Sequence, residues 1–308
     1  MTETRKPRSR KIIGIALIMQ AMMFGATPAI SADTTEITRR TKIESLSFKA
    51  PYRYATVRGF ARRGERSQRF EIRHGDCGQS SGYSDCENDR GRVEQVERPK
   101  ASFSNRGTGT WYGYSIYVPS DFASLDPGST SLSQVKITGH SFPLWKITLT
   151  NRPFVLFGDG STCRIGSLSS WIGRWNDVTV YSHTGTSSDG PFFRLYKDGR
   201  LICSKDTPIL PREAYGQRVE PYFKYGIYSS FVSRYLRPRA TREVAFEESS
   251  STYTNGRTSR NTVAFPFRYD WGVELPTHVI FYDELMAGSR REDVDVRMRE
   301  AAGLPPVD

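Results

Sequence analysis

The stretch Tyr222-Phe223-Lys224-Tyr225-Gly226-Ile227-Tyr228-Ser229-Ser230 decides how this 308-residue chain folds. Aromatic and β-branched residues dominate it and only Gly226 speaks against regular structure, so it predicts a β-strand. Side chains alternate across a strand. Tyr222, Lys224 and Tyr228 therefore share one face, and Phe223, Tyr225 and Ile227 the other. The first face carries two phenols and an ammonium, with an open gap at Gly226. On composition alone such a strand is ordinary sandwich surface, but the gap between cation and phenol also suits a groove for an anionic, ring-shaped ligand.

Outward from this stretch the pattern repeats. Short runs rich in Val, Ile, Phe and Tyr recur at Arg69–Arg73, Trp111–Val118, Ser133–Ile137, Trp145–Leu149, Phe154–Phe157, Asp177–His183, Phe192–Lys197 and His278–Tyr282, separated by Gly, Pro, Ser and Asn. Lys197-Asp198-Gly199-Arg200 joins two such runs and predicts a hairpin turn. Many short strands with frequent turns imply an all-β antiparallel sandwich, a single β-jelly-roll of the concanavalin-like kind with a concave groove. No internal repeat or clean linker divides it. The expected organisation is a loose polar arm over 33–50 and one domain over 51–308. Residues 248–262, rich in Ser, Thr, Asn and Arg, are expected as an exposed loop, and Arg290–Ala302 as the one amphipathic helix.

The first 32 residues read as a secretory signal peptide. Arg5, Lys6, Arg8, Arg10 and Lys11 precede an apolar run from Ile12 to Met23, and Ile30-Ser31-Ala32 offers a cleavage site. The run is short for a membrane span. Five basic residues against Glu3 give the leader +4, which leaves +7 of the chain's +11 on the mature protein. A secreted or periplasmic protein of that charge calls for an anionic partner. The charges are scattered rather than gathered in one arm, which argues against nucleic acid. The four cysteines lack any C-x-x-C pair, which disfavours zinc and favours disulfides in an oxidising compartment. Of three possible pairings, the expected one joins Cys77 to Cys86 across a Gly/Ser/Asp-rich loop, and Cys163 to Cys203 between two predicted strands.

Two more segments carry chemistry. In Arg69-Phe70-Glu71-Ile72-Arg73, alternation puts two guanidiniums and a carboxylate on one face. There they form either a charge ladder or a fork for a ligand carboxylate. In Gln134-Val135-Lys136-Ile137-Thr138-Gly139-His140, the residues Gln134, Lys136, Thr138 and His140 share a face if the strand continues through Gly139.

Taken together, these motifs resemble those of the jelly-roll polysaccharide lyases, the heparin-lyase-I-like and alginate-lyase-like group. Tyr-Phe-Lys-x-Gly-x-Tyr is similar to the signature whose last tyrosine transfers protons, here Tyr228, with Lys224 beside it. Arg69–Arg73 resembles the Arg-x-Glu-Leu-Arg signature of the groove floor, and Arg92-Val93-Glu94 matches a later Arg-Ser-Glu. Gln134 matches the glutamine of Gln-x-His, but Lys136 stands where that pattern has histidine, which makes His140 the substitute base. Trp175–His183 resembles a further strand of the family and makes His183 a groove candidate.

The resemblance implies β-elimination on a uronic-acid polymer. The C5 proton, α to the carboxylate, is removed while the O4 glycosidic oxygen departs. Cations and amides must hold the carboxylate, and a base and an acid must handle the two protons. Arg73, Gln134 and Arg69 would bind the carboxylate, Tyr228 and His140 would move protons, and Lys136, Lys224, Arg92, Tyr222 and His183 would line the groove. No redox or organic cofactor is called for, and a structural calcium is compatible with the resemblance. The partner is an anionic polysaccharide, with no nucleic acid, no membrane after leader cleavage, and a monomeric state. The rivals are a glycoside hydrolase on the same fold and a non-catalytic lectin-like module. Glu247-Glu248 and Asp283-Glu284 do not form the paired-carboxylate pattern that the hydrolase needs.

Overall fold

The structure is a computed structural model that describes residues 1–2, 34–99, 102–103, 109–187, 190–252 and 258–307. The signal-peptide segment 1–32 lies almost wholly outside the described residues.

The strands, in chain order, are β1 (Thr34–Glu36), β2 (Thr41–Ile43), β3 (Tyr54–Arg58), β4 (Arg66–Ile72), β5 (Gln79–Ser80), β6 (Tyr83–Ser84), β7 (Arg90–Glu97), β8 (Gly109–Val118), β9 (Ser129–Ile137) and β10 (Pro143–Leu149). They continue with β11 (Phe154–Phe157), β12 (Thr162–Arg164), β13 (Arg174–His183), β14 (Phe193–Lys197), β15 (Arg200–Lys205), β16 (Pro221–Ser230), β17 (Glu248–Thr252), β18 (Thr258–Val263) and β19 (His278–Gly288). One sheet runs β15-β14-β13-β8-β19-β4-β3, with β1 on β19, and the facing sheet runs β12-β11-β10-β9-β16-β7-β2. All these pairings are antiparallel, and the sheets pack face to face as the expected jelly roll.

Alternation explains the core. Phe223, Tyr225 and Ile227 of β16 are fully buried against Tyr112 and Tyr114 of β8 and Phe70 of β4. Tyr112 stacks on Phe223 at 4.8 Å, and Phe70 meets Tyr225 edge-on at 5.7 Å. Each predicted run falls within or overlaps a strand, and Asp198-Gly199 makes the β14–β15 turn with both residues at positive φ. Both expected disulfides are present, with Cα separations of 5.1 Å for Cys77–Cys86 and 6.2 Å for Cys163–Cys203.

Three expectations are corrected. The arm over 33–50 is not loose: β1 extends one sheet beside β19 and β2 the other beside β7, because Thr and Ile suit edge pairing. The loop over 248–262 contains a hairpin, β17 against β18. The C-terminal helix shrinks to α2 (Val296–Ala301), because the Asp295 side chain accepts from the backbone of Arg297 and Met298 and caps it there. A shorter α1 (Val232–Leu236) follows β16, capped by Asp89, which accepts from the Ser233 backbone and hydroxyl at 2.7 Å each. Among the described residues no helix is long and apolar enough to cross a membrane.

Candidate active site

β16 sits between β9 and β7, so the face it turns away from the core is shared with both. On β7, Val93 belongs to the core, and alternation sends Arg90, Arg92 and Glu94 outward. On β9, Val135 and Ile137 are core and Gln134 and Lys136 point out. On β10, Trp145 and Ile147 are core and Lys146 points out. Registration brings these side chains together: Lys224 lies opposite Gln134, and Gln134 opposite Lys146. Arg92 lies opposite Tyr228, and Glu94 opposite Gly226.

Gly226 is required here. Its φ is +135°, and a Cβ would come within 2.3 Å of the Val93 carbonyl oxygen. The register of β9 against β16 shifts between Tyr225 and Tyr228, a bulge that opens the floor at the predicted gap. The bulge is fastened from beneath. The Tyr282 hydroxyl, reaching across the core from β19, lies 2.6 Å from the Leu132 carbonyl oxygen and 2.7 Å from that of Gly226.

The charges form a network around Glu94. Its carboxylate accepts from Lys224 Nζ at 2.7 Å and from Gln134 Nε2 at 2.7 Å. Lys224, 3% exposed, also meets Glu44 at 2.9 Å. Burial alone would lower the Lys224 pKa, but Glu94 and Glu44 outweigh burial and the repulsion of Arg92, so it ends above the ordinary value. Glu44 follows β2 and is carried there by its backbone N–H, which donates to the Glu94 carbonyl. Arg92 is gripped by Asp85, Nε to Oδ2 at 2.6 Å and Nη2 to Oδ1 at 2.7 Å, and its guanidinium lies 4.3 Å from the Tyr228 ring centre. Asp85 sits inside the loop closed by Cys77–Cys86, and Tyr83 of the same loop accepts from Arg90.

Two lysines stand apart. Burial, then repulsion from Lys224, Lys146 and Arg92, brings Lys136 down to about 7. Its ammonium donates to the backbone carbonyl oxygens of His140 at 3.0 Å and Ser141 at 2.5 Å. Lys146 is brought down to about 8, first by burial and then by Arg90 and Arg92, against the opposing pull of Glu94. Burial also raises the Tyr222 phenol.

Tyr228, Lys224, Gln134, Lys136, Arg92 and Tyr222 thus gather on one face. Three expectations do not hold. Arg69 lies on β4, in the other sheet, where Phe70 and Ile72 fill the core and Arg69 faces outward; Arg73 follows the end of that strand, beside Gly91 and Ser229 rather than on the outward face that carries Tyr228. Both bind Glu71, Arg73 at 2.5 Å, and Arg73 stacks 3.7 Å over Tyr52. His140 does not continue the Gln134 face, because β9 ends at Ile137 and Gly139 turns the chain at φ +77°. Its carbonyl accepts from Lys136 at 3.0 Å. His183 ends β13 in the other sheet, accepting from the Gly185 backbone at 3.1 Å. Among the described residues no three His, Cys, Asp or Glu side chains gather to hold a metal ion, and no site is assigned to calcium.

Residues 32–258 match the family model described as polysaccharide lyase. The chain belongs to the polysaccharide lyase family. Among solved structures the lyase is similar to the family 7 alginate lyase A1-II′ in complex with substrate (11% identity, 82% of this chain and 93% of that one, TM-score 0.47). It is also similar to an alginate lyase from Pseudomonas aeruginosa (11%, 73% and 83%, TM-score 0.41) and to a cellulose induced protein, Cip1 (9%, 82% and 93%, TM-score 0.45). No curated protein matches the sequence. The family match sets aside the hydrolase and lectin readings: the chain is a polysaccharide lyase.

Glu94, Glu44, Asp85, Arg90 and Lys146 were missed as site residues. The signals were present. Arg90-Gly91-Arg92-Val93-Glu94 alternates as cleanly as Arg69–Arg73, and Lys146 is the lone charge in the apolar run Leu144–Leu149.

Proposed function

We propose that the lyase cleaves a uronic-acid-containing polysaccharide by β-elimination, at the face formed by β7, β16, β9 and β10, and that it acts outside the cytoplasm. The reading is carried by one observation: buried Glu94 holds Lys224 and Gln134 beside Tyr228, while Arg92 lies over the tyrosine ring. Arg90, Arg92 and Lys224 offset the three carboxylates Glu44, Glu94 and Asp85, so whatever charge Lys136 and Lys146 carry leaves the face positive towards an anionic polymer. Two disulfides accord with an oxidising compartment.

In this mechanism Arg92 and the second amide hydrogen of Gln134 bind the sugar carboxylate. Because Asp85 and Glu94 fix both groups in advance, they stabilise the charge that grows on the carboxylate as C5 loses its proton, without reorganising. Tyr228 delivers a proton to O4 as the C4–O4 bond breaks. The guanidinium over its ring stabilises the negative charge the oxygen then carries. Lys224 is held between two carboxylates, so it is scaffold and field rather than an acid.

Incubation with a panel of polyuronates tests the reading. An elimination leaves a conjugated, ultraviolet-absorbing double bond at the new non-reducing end. Reducing ends without that absorbance, or no cleavage of any polyuronate, would overturn it.

A further inference from the structure

β-Elimination needs a base at C5, and the groups that hold the carboxylate cannot serve. Arg90 and Arg92 do not lose their protons at accessible pH. Lys224 is pinned as an ammonium by Glu94 and Glu44 at 2.7 and 2.9 Å. Lys136 donates two of its hydrogens to the His140 and Ser141 carbonyls, which tie its nitrogen to the turn beyond β9. His140 itself lies in the turn beyond β9.

Lys146 differs from all of these. It is half-buried on β10, in register with Gln134, and its amine has no hydrogen-bond or ion-pair partner among the described residues. Its Nζ stands 5.8 Å from the Tyr228 ring centre, while Arg92 lies against the same ring at 4.3 Å. The charged groups around it are Arg90, Arg92 and Glu94 from β7 and Lys136 from its neighbour β9, with the Tyr228 phenol on β16. Its partner on β11, Leu156, is apolar. Cations surround it and no carboxylate is bound to it. Such surroundings disfavour the ammonium, whereas Lys224 has the opposite arrangement one strand beyond Gln134.

We propose that Lys146 is the catalytic base of this lyase, a neutral amine that takes the C5 proton of the uronate while Tyr228 serves as the acid. The assignment rests on the β-elimination reading above. The Lys146 lone pair bonds to the C5 hydrogen, and the C–H electrons become the C4=C5 double bond. The C4–O4 pair leaves on oxygen, and Tyr228 protonates it. Lys146 ends as an ammonium and Tyr228 as a phenolate. One proton passed from the first to the second, directly or through a water, restores both without any co-reactant. Burial and the neighbouring arginines bring the amine down to about 8, so an appreciable fraction is neutral where an ordinary lysine is almost fully charged.

The test uses the full mature protein and a polyuronate that the wild type cleaves. Lys146→Arg keeps the charge but cannot act as a base, and Lys146→Met keeps neither. Both should lower kcat by about 10²–10⁴-fold, the loss typical of a removed general base, with little change in KM. Both should also lose the rise of kcat/KM with pH that the wild type shows as the amine deprotonates. Lys146→Cys alkylated with bromoethylamine rebuilds an amine and should recover activity, which a packing role would not predict. A near-normal rate in Lys146→Arg, or an unchanged pH profile in either variant, overturns the assignment while leaving the lyase reading intact. A wild type that forms no unsaturated product on any polyuronate overturns both.

Discussion

Replacing Tyr228 with phenylalanine removes one oxygen and almost no volume. The expected outcome is loss of elimination with polymer binding retained, measured as product absorbance against binding to the same polymer. Arg92→Ala should weaken both, because the guanidinium holds the carboxylate in the ground state as well as the transition state. Arg69→Ala, on the outward face of β4 in the other sheet, should turn over polymer as the wild type does. A large loss there would contradict the placement of the site. The contrast shows what a sequence can and cannot tell at this scale. Alternation identified correctly which side chains share a strand face, in β4 as in β16. It could not say which sheet a strand joins, because pairing is set by contacts far apart in the chain. Two Arg-x-Glu patterns, Arg69–Glu71 and Arg92–Glu94, were therefore indistinguishable until the sheets were assembled.

At the scale of elements, the floor of the site depends on a bulge that another sheet holds in place. The Tyr282 hydroxyl serves the carbonyls of Leu132 and Gly226, so Tyr282→Phe leaves both in a dry core without that donor. The cost should be about 1–3 kcal/mol in denaturant unfolding, accompanied by a fall in kcat although Tyr282 touches no substrate. The loop of β5 and β6 plays a similar part for Arg92. Asp85 is fully buried and its two hydrogen bonds fix the guanidinium. Asp85→Ala should destabilise the fold by about 3–5 kcal/mol, since it strands a buried charge. The Gly226 gap was legible in the sequence because only glycine leaves one. The tyrosine beneath it was not, since a buried phenol looks the same whether it packs or tethers.

Stability of the whole molecule should depend on pH through His278. It stacks on Phe122 at 4.3 Å, its Nε2 donates to the Ala123 carbonyl at 2.8 Å, and burial lowers its pKa from 6.5 to about 4. Below 6.5 the unfolded chain binds a proton that the folded one refuses. Its contribution is therefore complete above 6.5 and is lost as pH falls towards 4, by up to about 3 kcal/mol. Asp89 and Asp283, raised by burial to about 7, act in the opposite sense. The measurement is accordingly a difference: unfolding free energies of wild type and His278→Gln, whose gap should narrow as pH falls from 7 to 4. A gap that stays constant would show that His278 does not titrate in this way.

The pairing of β1 with β19 also governs how the protein can be made. Thr34 lies opposite Gly288, so the first strand of the sandwich waits for the last before it has a neighbour, and β8 and β4 wait on the same strand. A sandwich wired in this way has high contact order and folds slowly, only once the whole chain is available. Until then the flanks of β8 and β4 stand open to other chains. A product ending before His278 should collect as aggregate rather than as a smaller, working enzyme.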